Sequence, residues 1–344
     1  MTRASRRAAP AGNPQEARPV RASCRPGCAA PPALRLRLED LAQPRQPHPA
    51  QRGGTELPAS STPPRLLACL LGALATSSLA AQATPPDDSG ERAAHGWSRE
   101  RKAQALNLGI VAGVTAYGFA KWDWGETSFR SSSEGWFGSH TDSGGADKLG
   151  HAYTGAVATA LTASLYRRWG YDEAQAARLG AFSGLLLTSA VELGDGFSPE
   201  HGFSWEDQVA NLAGVGLEYL RQRHAGWRER VQFRWEYFPS PAMRHGQHSD
   251  LATDYSGSRW MLAFPLRAWG ARDSALRHFD LLVGYGTRGY GDDDQEFFDD
   301  TERHPFIGVG INLPLLLDTL GASPSTQRVF EYLQIPGTAL PLPP

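Results

Sequence analysis

The chain has 344 residues, of which 34 are Lys or Arg and 36 are Asp or Glu, so its formal net charge is only −2 at pH 7. Outside residues 1–64 the sequence contains no basic patch, and this excludes a nucleic-acid partner. All three cysteines, Cys24, Cys28 and Cys69, lie before residue 84, so the rest of the chain can form neither a disulfide nor a thiolate metal site.

Two N-terminal segments are predicted to lie outside the folded protein. Residues 1–64 are rich in Arg, Pro and Ala, a composition typical of a disordered leader or of a start site assigned too far upstream. Residues 65–83 combine a basic flank, an uncharged apolar run and a small-x-small ending, which is the pattern of a signal peptide. We therefore expect cleavage near Thr84 and export to the envelope of a Gram-negative type of bacterium, in the periplasm or at a membrane.

After a linker at residues 84–97, the sequence predicts a helical core of three to four apolar antiparallel helices within residues 98–224. The first helix begins at the N-cap residue Ser98, and its Gly109 and Gly113 have a spacing that lets two helices approach closely. The apolar run at residues 105–120 is shorter than the roughly 20 residues of a typical membrane span. It can therefore be interpreted either as a short or tilted membrane helix or as a buried core helix. The other helical patterns cover residues 147–168, 172–193 and 204–223.

Polar residues interrupt these apolar helices at spacings of three or four, which place both members of each pair on one helix face. The pairs are Asp147 with His151, Glu192 with Asp195, and Asp207 with Asn211. A polar group removed from water costs roughly 2–7 kcal/mol unless it finds a partner. We therefore expect these groups to meet, and His151 to lie within reach of Asp207. Simple helix capping by Asp147 or Asp207 is the alternative.

Four ordered motifs in this region resemble the YfiM-like family of predicted periplasmic lipoproteins. They are Asp-Lys-x-x-His at 147–151, Glu-x-x-Asp at 192–195, Gly-Phe-Ser-Trp-x-Asp at 202–207 and Asn-x-x-Gly at 211–214. The resemblance covers residues 100–320 and implies an envelope location, whereas it supplies no activity. The chain departs from the family in lacking a well-placed lipidation cysteine. The first motif alone is similar to VanZ-like membrane proteins. Within the motifs, the residues interpreted as structural are Lys148, Ser204, Trp205, Asn211 and Gly214.

After residue 225 the periodicity changes to that of strands. Apolar and polar side chains alternate at residues 231–237, and similar runs follow at 259–266, 279–286 and 306–313. We predict a small antiparallel sheet of about four strands within residues 225–320, packed on the helices or completed by another copy. A short helix and a Pro-rich tail at residues 321–344 complete an α+β fold.

Two functional hypotheses follow from these patterns. The first is a non-catalytic envelope protein with a structural or interaction role at the membrane, whose polar groups form a buried lock and whose partner is the membrane, a lipid or another envelope protein. The second is a membrane-associated hydrolase, with His151, Glu192, Asp195 and Asp207 as acids, bases or ligands. With Asp147 these residues form a candidate site for a divalent cation, because imidazole and carboxylates suit a hard or borderline ion. No complete catalytic motif is present, which favours the first hypothesis.

Overall fold

The computed structural model describes residues 96–294 and 296–343 of the chain. The predicted leader at residues 1–64, the signal peptide at residues 65–83 and most of the linker lie outside the described residues, so these assignments stay predictions.

Four long helices precede a mixed sheet in the described part of the chain. The helices are α1 (Arg99–Lys121), α2 (Ala146–Arg168), α3 (Glu173–Asp195), α4 (Trp205–Arg223), α5 (Ala225–Arg230), α6 (Pro241–Arg244), α7 (Leu313–Thr319) and α8 (Pro324–Val329). The strands are β1 (Ser131–Ser132), β2 (Phe203–Ser204), β3 (Gln232–Tyr237), β4 (Ser258–Pro265), β5 (Phe279–Arg288), β6 (Glu302–Ile311), β7 (Leu333–Gln334) and β8 (Ala339–Pro341). The predicted α+β class is confirmed, although four short helices add to the three to four expected.

Side-chain caps begin three of the four long helices. Ser98, Asp172 and Ser204 each accept a hydrogen bond from the backbone N–H three residues further on. Such caps satisfy a donor that the helix itself leaves unpaired. Helix α2 begins differently, after Gly145 at φ 87°, a left-handed conformation that glycine adopts without strain.

The helices α2, α3 and α4 approach closely because small residues line their contacts. A Cβ added at Gly180 of α3 would stand 2.8 Å from the carbonyl oxygen of Thr159, and one at Gly155 of α2 would stand 2.9 Å from that of Asn211. Neighbouring contacts show that α3 is antiparallel to α2, whereas α4 runs parallel to α2. The close approach predicted for Gly109 and Gly113 of α1 is not made to any described residue, since nothing lies within 4 Å of a Cβ added there.

The main sheet has six strands in the order β7-β3-β4-β5-β6-β8. Its four central strands pair antiparallel, as predicted. The prediction of only about four antiparallel strands is wrong, because the Pro-rich tail adds β7, parallel to β3, and β8, antiparallel to β6. These strands have two and three residues, too few to show a periodicity in the sequence. Pro341 is tolerated because β8 is an edge strand.

One face of the sheet packs on α2. Phe233, Trp260 and Leu262 form a cluster there with Leu149 and Tyr153. The opposite face buries Met261 and Leu282. An ion pair of 2.7 Å between Arg234 and Asp280, both fully buried, also lies within the sheet. The sheet thus supports the helix whose first turn carries the candidate site.

Candidate functional site

The candidate site lies where the first turns of α2 and α4 meet the last turn of α3. Because α2 and α4 are parallel, both present the positive ends of their helix dipoles here, which favour carboxylates. Asp147 lies in the first turn of α2, and Glu206 and Asp207 lie in the first turn of α4. Glu192 comes from the last turn of α3, at its negative end.

Lys148 is the centre of the first group of side chains, here called the lysine group. Its ammonium lies 2.8 Å from Glu134, 2.6 Å from Asp147 and 2.8 Å from Asp207, and the residue is only 2 % exposed. Burial acts to lower the pKa of Lys148, but the charges of Asp147 and Asp207 raise it above its ordinary value. The side chain therefore stays charged, and it joins α2, α4 and the loop that carries Glu134.

The carboxylates of the lysine group differ in protonation. Burial and the negative charge of Asp207 raise the pKa of Glu134 to about 7. Asp147 behaves in the opposite way: burial acts to raise its pKa, but the charge of Lys148 and the hydrogen bonds to this carboxylate together lower it. A hydrogen bond that the Ser143 hydroxyl donates to Asp147 acts in the same direction.

The second group, here called the histidine group, consists of His151, Glu192 and Asp207. His151 Nδ1 lies 3.4 Å from Glu192 Oε1, and His151 Nε2 lies 4.0 Å from Asp207 Oδ1. The three side chains each offer one ligand atom within 4.8 Å of the others. His151 and Asp207 are therefore close, as the sequence predicts, but 4.0 Å is too long for a hydrogen bond. The nearest cation to Asp207 is Lys148, not His151.

Burial controls the protonation of the histidine group. It lowers the pKa of His151, which favours the neutral imidazole. It raises the pKa of Glu192 to about 9, and the negative charges of Asp207 and Asp195 act in the same direction. Glu192 Oε2 also accepts a hydrogen bond of 3.3 Å from the backbone N–H of Ser204. In a capping box, that N–H would instead bond the Asp207 side chain, so Ser204 and Asp207 form only half of such a box.

The remaining predicted residues occupy different places. Asp195 accepts a 2.9 Å hydrogen bond from the indole of Trp124 and belongs to neither group. Trp205 is half exposed and packs edge-to-face against Trp136 at 5.6 Å. Gly214 lies against the backbone of Ala152. The catalytic and metal-binding roles predicted for the site residues stay predictions.

Glu134 and Glu206 also lie at the site, although the sequence does not predict it. Glu134 lies in a loop rich in Ser and Gly, where no periodicity assigns a side chain to the interior. Glu206 is 1 % exposed and accepts a hydrogen bond of 2.5 Å from the Ser133 hydroxyl. Its one sequence signal is its place in the first turn after the Ser204 cap. Both Ser133 and Glu134 come from the same loop, which therefore covers the start of α4.

Residues 133–223 match the model of a family described as predicted periplasmic lipoprotein (DUF2279). The match contains α2, α3, α4 and every member of the lysine and histidine groups. No curated protein and no solved structure matches the chain. The family description agrees with the export and the periplasmic or envelope location predicted from the sequence. The likeness to YfiM-like and VanZ-like proteins stays a resemblance.

Proposed function

We propose that this protein is a non-catalytic component of the cell envelope that associates with a lipid bilayer through α1. The supporting observation is the exposure of this helix. Two helices of the described chain, α1 and α3, are long and apolar enough to cross a membrane. The most apolar 18-residue stretch of α3 is 44 % buried in the protein, whereas the corresponding stretch of α1 is only 11 % buried.

Large apolar side chains of α1 are exposed between Leu108 and Phe119. Leu108 is 65 % exposed, Tyr117 is 51 % exposed and Phe119 is 60 % exposed. No charged residue occurs between Ala103 and Ala120. A contiguous apolar surface of this kind is rare on a protein surrounded by water and marks a site of protein or membrane interaction.

The polar residue at the middle of α1 points the other way. Asn107 donates a hydrogen bond of 3.3 Å to the Tyr166 hydroxyl and accepts one of 2.7 Å from Ser183. In a helix that faces water on one side, polar residues lie on the outer face. In α1 the polar Asn107 faces the protein, and apolar side chains are exposed instead. Lys121 and the aromatic residue Trp122 end the helix, and residues of both types are common at the boundary between lipid and water.

The lysine group supports a structural rather than a catalytic role for the site. An ammonium group has three hydrogen-bond donors, and Lys148 has three carboxylates within 2.8 Å. It donates hydrogen bonds to Glu134 and Asp147 and forms an ion pair with Asp207. The group fixes α2, α4 and the preceding loop relative to each other, as the lock hypothesis requires.

The experiment that tests this proposal is flotation with lipid vesicles. The purified mature protein should float with vesicles and stay in the membrane pellet after a carbonate wash. Leu108→Glu combined with Phe119→Glu should abolish flotation, because two charges would enter the apolar surface. Leu320→Glu combined with Val329→Glu is a matched control, since these apolar residues are exposed elsewhere. A parent protein that remains wholly at the bottom of the gradient would contradict the proposal.

A further inference from the structure

The lysine and histidine groups share Asp207, whose Oδ1 is paired with Lys148, whereas Glu192 belongs to the histidine group alone. Lys148 lies within 2.8 Å of all three carboxylates of its group. Glu192, which is 2 % exposed, has no Lys or Arg within 4.0 Å in the described parts of the chain. We propose that the histidine group binds a divalent transition-metal ion, with His151, Glu192 and Asp207 as ligands.

The distances within the histidine group suit a single ion. Ligand atoms bound about 2.0–2.2 Å from one metal ion lie roughly 3–4 Å from each other. One ligand atom each from His151, Glu192 and Asp207 lies within 4.8 Å of the other two, so a small inward movement of these side chains brings them to such distances. Each of these residues comes from a different helix, so the tight packing of α2, α3 and α4 fixes the ligand set.

Asn211 provides an independent observation. It is fully buried, and neither its side-chain oxygen nor its nitrogen has a hydrogen-bond partner among the residues that the structure describes. Buried amides in proteins are nearly always hydrogen-bonded, because an unpaired one costs about 1–3 kcal/mol. A metal ion in the histidine group, or water bound to that ion, supplies the partner that this amide needs.

The position of Asn211 directs its side chain toward the histidine group. It lies one turn after Asp207 on the same buried face of α4. Side chains of a helix lean toward its N-terminus, which places the Asn211 amide over the turn that carries Asp207. Opposite its backbone is Gly155, one turn after His151, which has no side chain to fill the space.

The donor set defines the class of metal. The three ligands are one imidazole and two carboxylates and include no thiolate, so the set suits Zn²⁺, Mn²⁺ or Fe²⁺ better than Cu⁺. Metal ligands bind in their deprotonated form, so in the complex the two carboxylates carry a charge of −2, which balances a divalent ion inside the protein. The proposal does not depend on the association of α1 with lipid.

Isothermal titration of the metal-free mature protein with Zn²⁺ and with Mn²⁺ tests the proposal. One ion of at least one of these metals should bind per chain. His151→Ala and Glu192→Gln should each weaken binding by more than about 100-fold, because outer-shell changes alone weaken it by about 10- to 100-fold. The matched control is Asp147→Asn, which removes a carboxylate from the lysine group alone and should weaken binding by less than about tenfold.

A second measurement does not depend on the folding of any variant. Co²⁺ added to the parent protein should give visible absorption bands and a paramagnetically shifted signal from one imidazole N–H. No binding by the parent, or a Co²⁺ complex without a shifted imidazole signal, would overturn the proposal. Equal loss of binding in Asp147→Asn and Glu192→Gln, with both variants folded by circular dichroism, would also overturn it.

Discussion

Lys148 Nζ and Asp207 Oδ1 lie 2.8 Å apart, and this ion pair joins the first turn of α2 to the first turn of α4. Two helix N-termini and an ammonium group are all positive, so their proximity is unfavourable by itself. The carboxylates of Asp147, Asp207 and Glu134 compensate for it. The parallel arrangement of α2 and α4 therefore depends on acidic residues placed at this end of the helices.

Lys148→Met should destabilise the protein strongly. The substitution keeps the apolar stem but leaves three carboxylates without their cation, and breaking a buried ion pair in this way costs about 3–5 kcal/mol. The free energy of unfolding from urea titration at pH 7.5 measures the loss. Lys121→Met, at the exposed end of α1, is the control and should have little effect. Parent-like stability of Lys148→Met would show that the lysine group does not lock the helices.

Asp207→Asn should lower the melting temperature of the metal-free protein more than His151→Ala does. Asp207 lies 2.8 Å from the Lys148 ammonium, whereas it lies 4.0 Å from His151. Burial lowers the pKa of His151 and so favours its neutral form, which contributes no ion pair. Thermal unfolding in the presence of a chelator gives both values. An equal, large loss in the two variants would support a direct lock between His151 and Asp207 instead.

The metal-free protein should lose stability through Glu134 as the pH rises from about 4.5 to about 7. Burial and the charge of Asp207 raise the pKa of Glu134 from 4.5 to about 7. Between these values the folded protein holds a proton that the unfolded chain has released, so its stability decreases as the pH increases. Melting temperatures of parent and Glu134→Gln, measured from pH 4.5 to pH 8, should show a steeper fall for the parent. Parallel curves would contradict the shift.

Breaking the ion pair between Arg234 and Asp280 should destabilise the protein strongly. Both side chains are fully buried and lie 2.7 Å apart. Asp280→Asn leaves the Arg234 cation without its counter-charge and should cost about 3–5 kcal/mol. A combined replacement of both residues by Met and Leu should also destabilise, because Gln334 and Asn312 would lose their buried hydrogen-bond partners. Urea titration measures both effects. The exposed pair Arg272 and Glu229, 3.5 Å apart, is the control, and breaking it should cost at most about 1 kcal/mol.

The long helices were predictable because each contains an apolar stretch, and in three of them a capping residue precedes it, as Ser204 does before α4. The meeting of His151 and Asp207 was predictable because polar groups in apolar helices need partners. The contacts of Lys148 with three carboxylates were not predictable from the sequence. Adjacent residues such as Asp147 and Lys148 do not normally face each other on a helix. The contacts of Lys148 also depend on Glu134, which belongs to a loop without periodicity.

The network around Arg221 has a consequence for the order in which an exported chain becomes folded. Arg221 of α4 is 1 % exposed and lies 2.7 Å from Glu331, while Glu218 accepts a hydrogen bond of 2.8 Å from Tyr332. These partners are separated by 110 or more positions, and the strands β7 and β8 follow them. A chain that emerges with its N-terminus first presents α4 long before Glu331. Until that residue arrives, Glu218 is the one other counter-ion of Arg221 among the described residues, so folding is completed late in translocation.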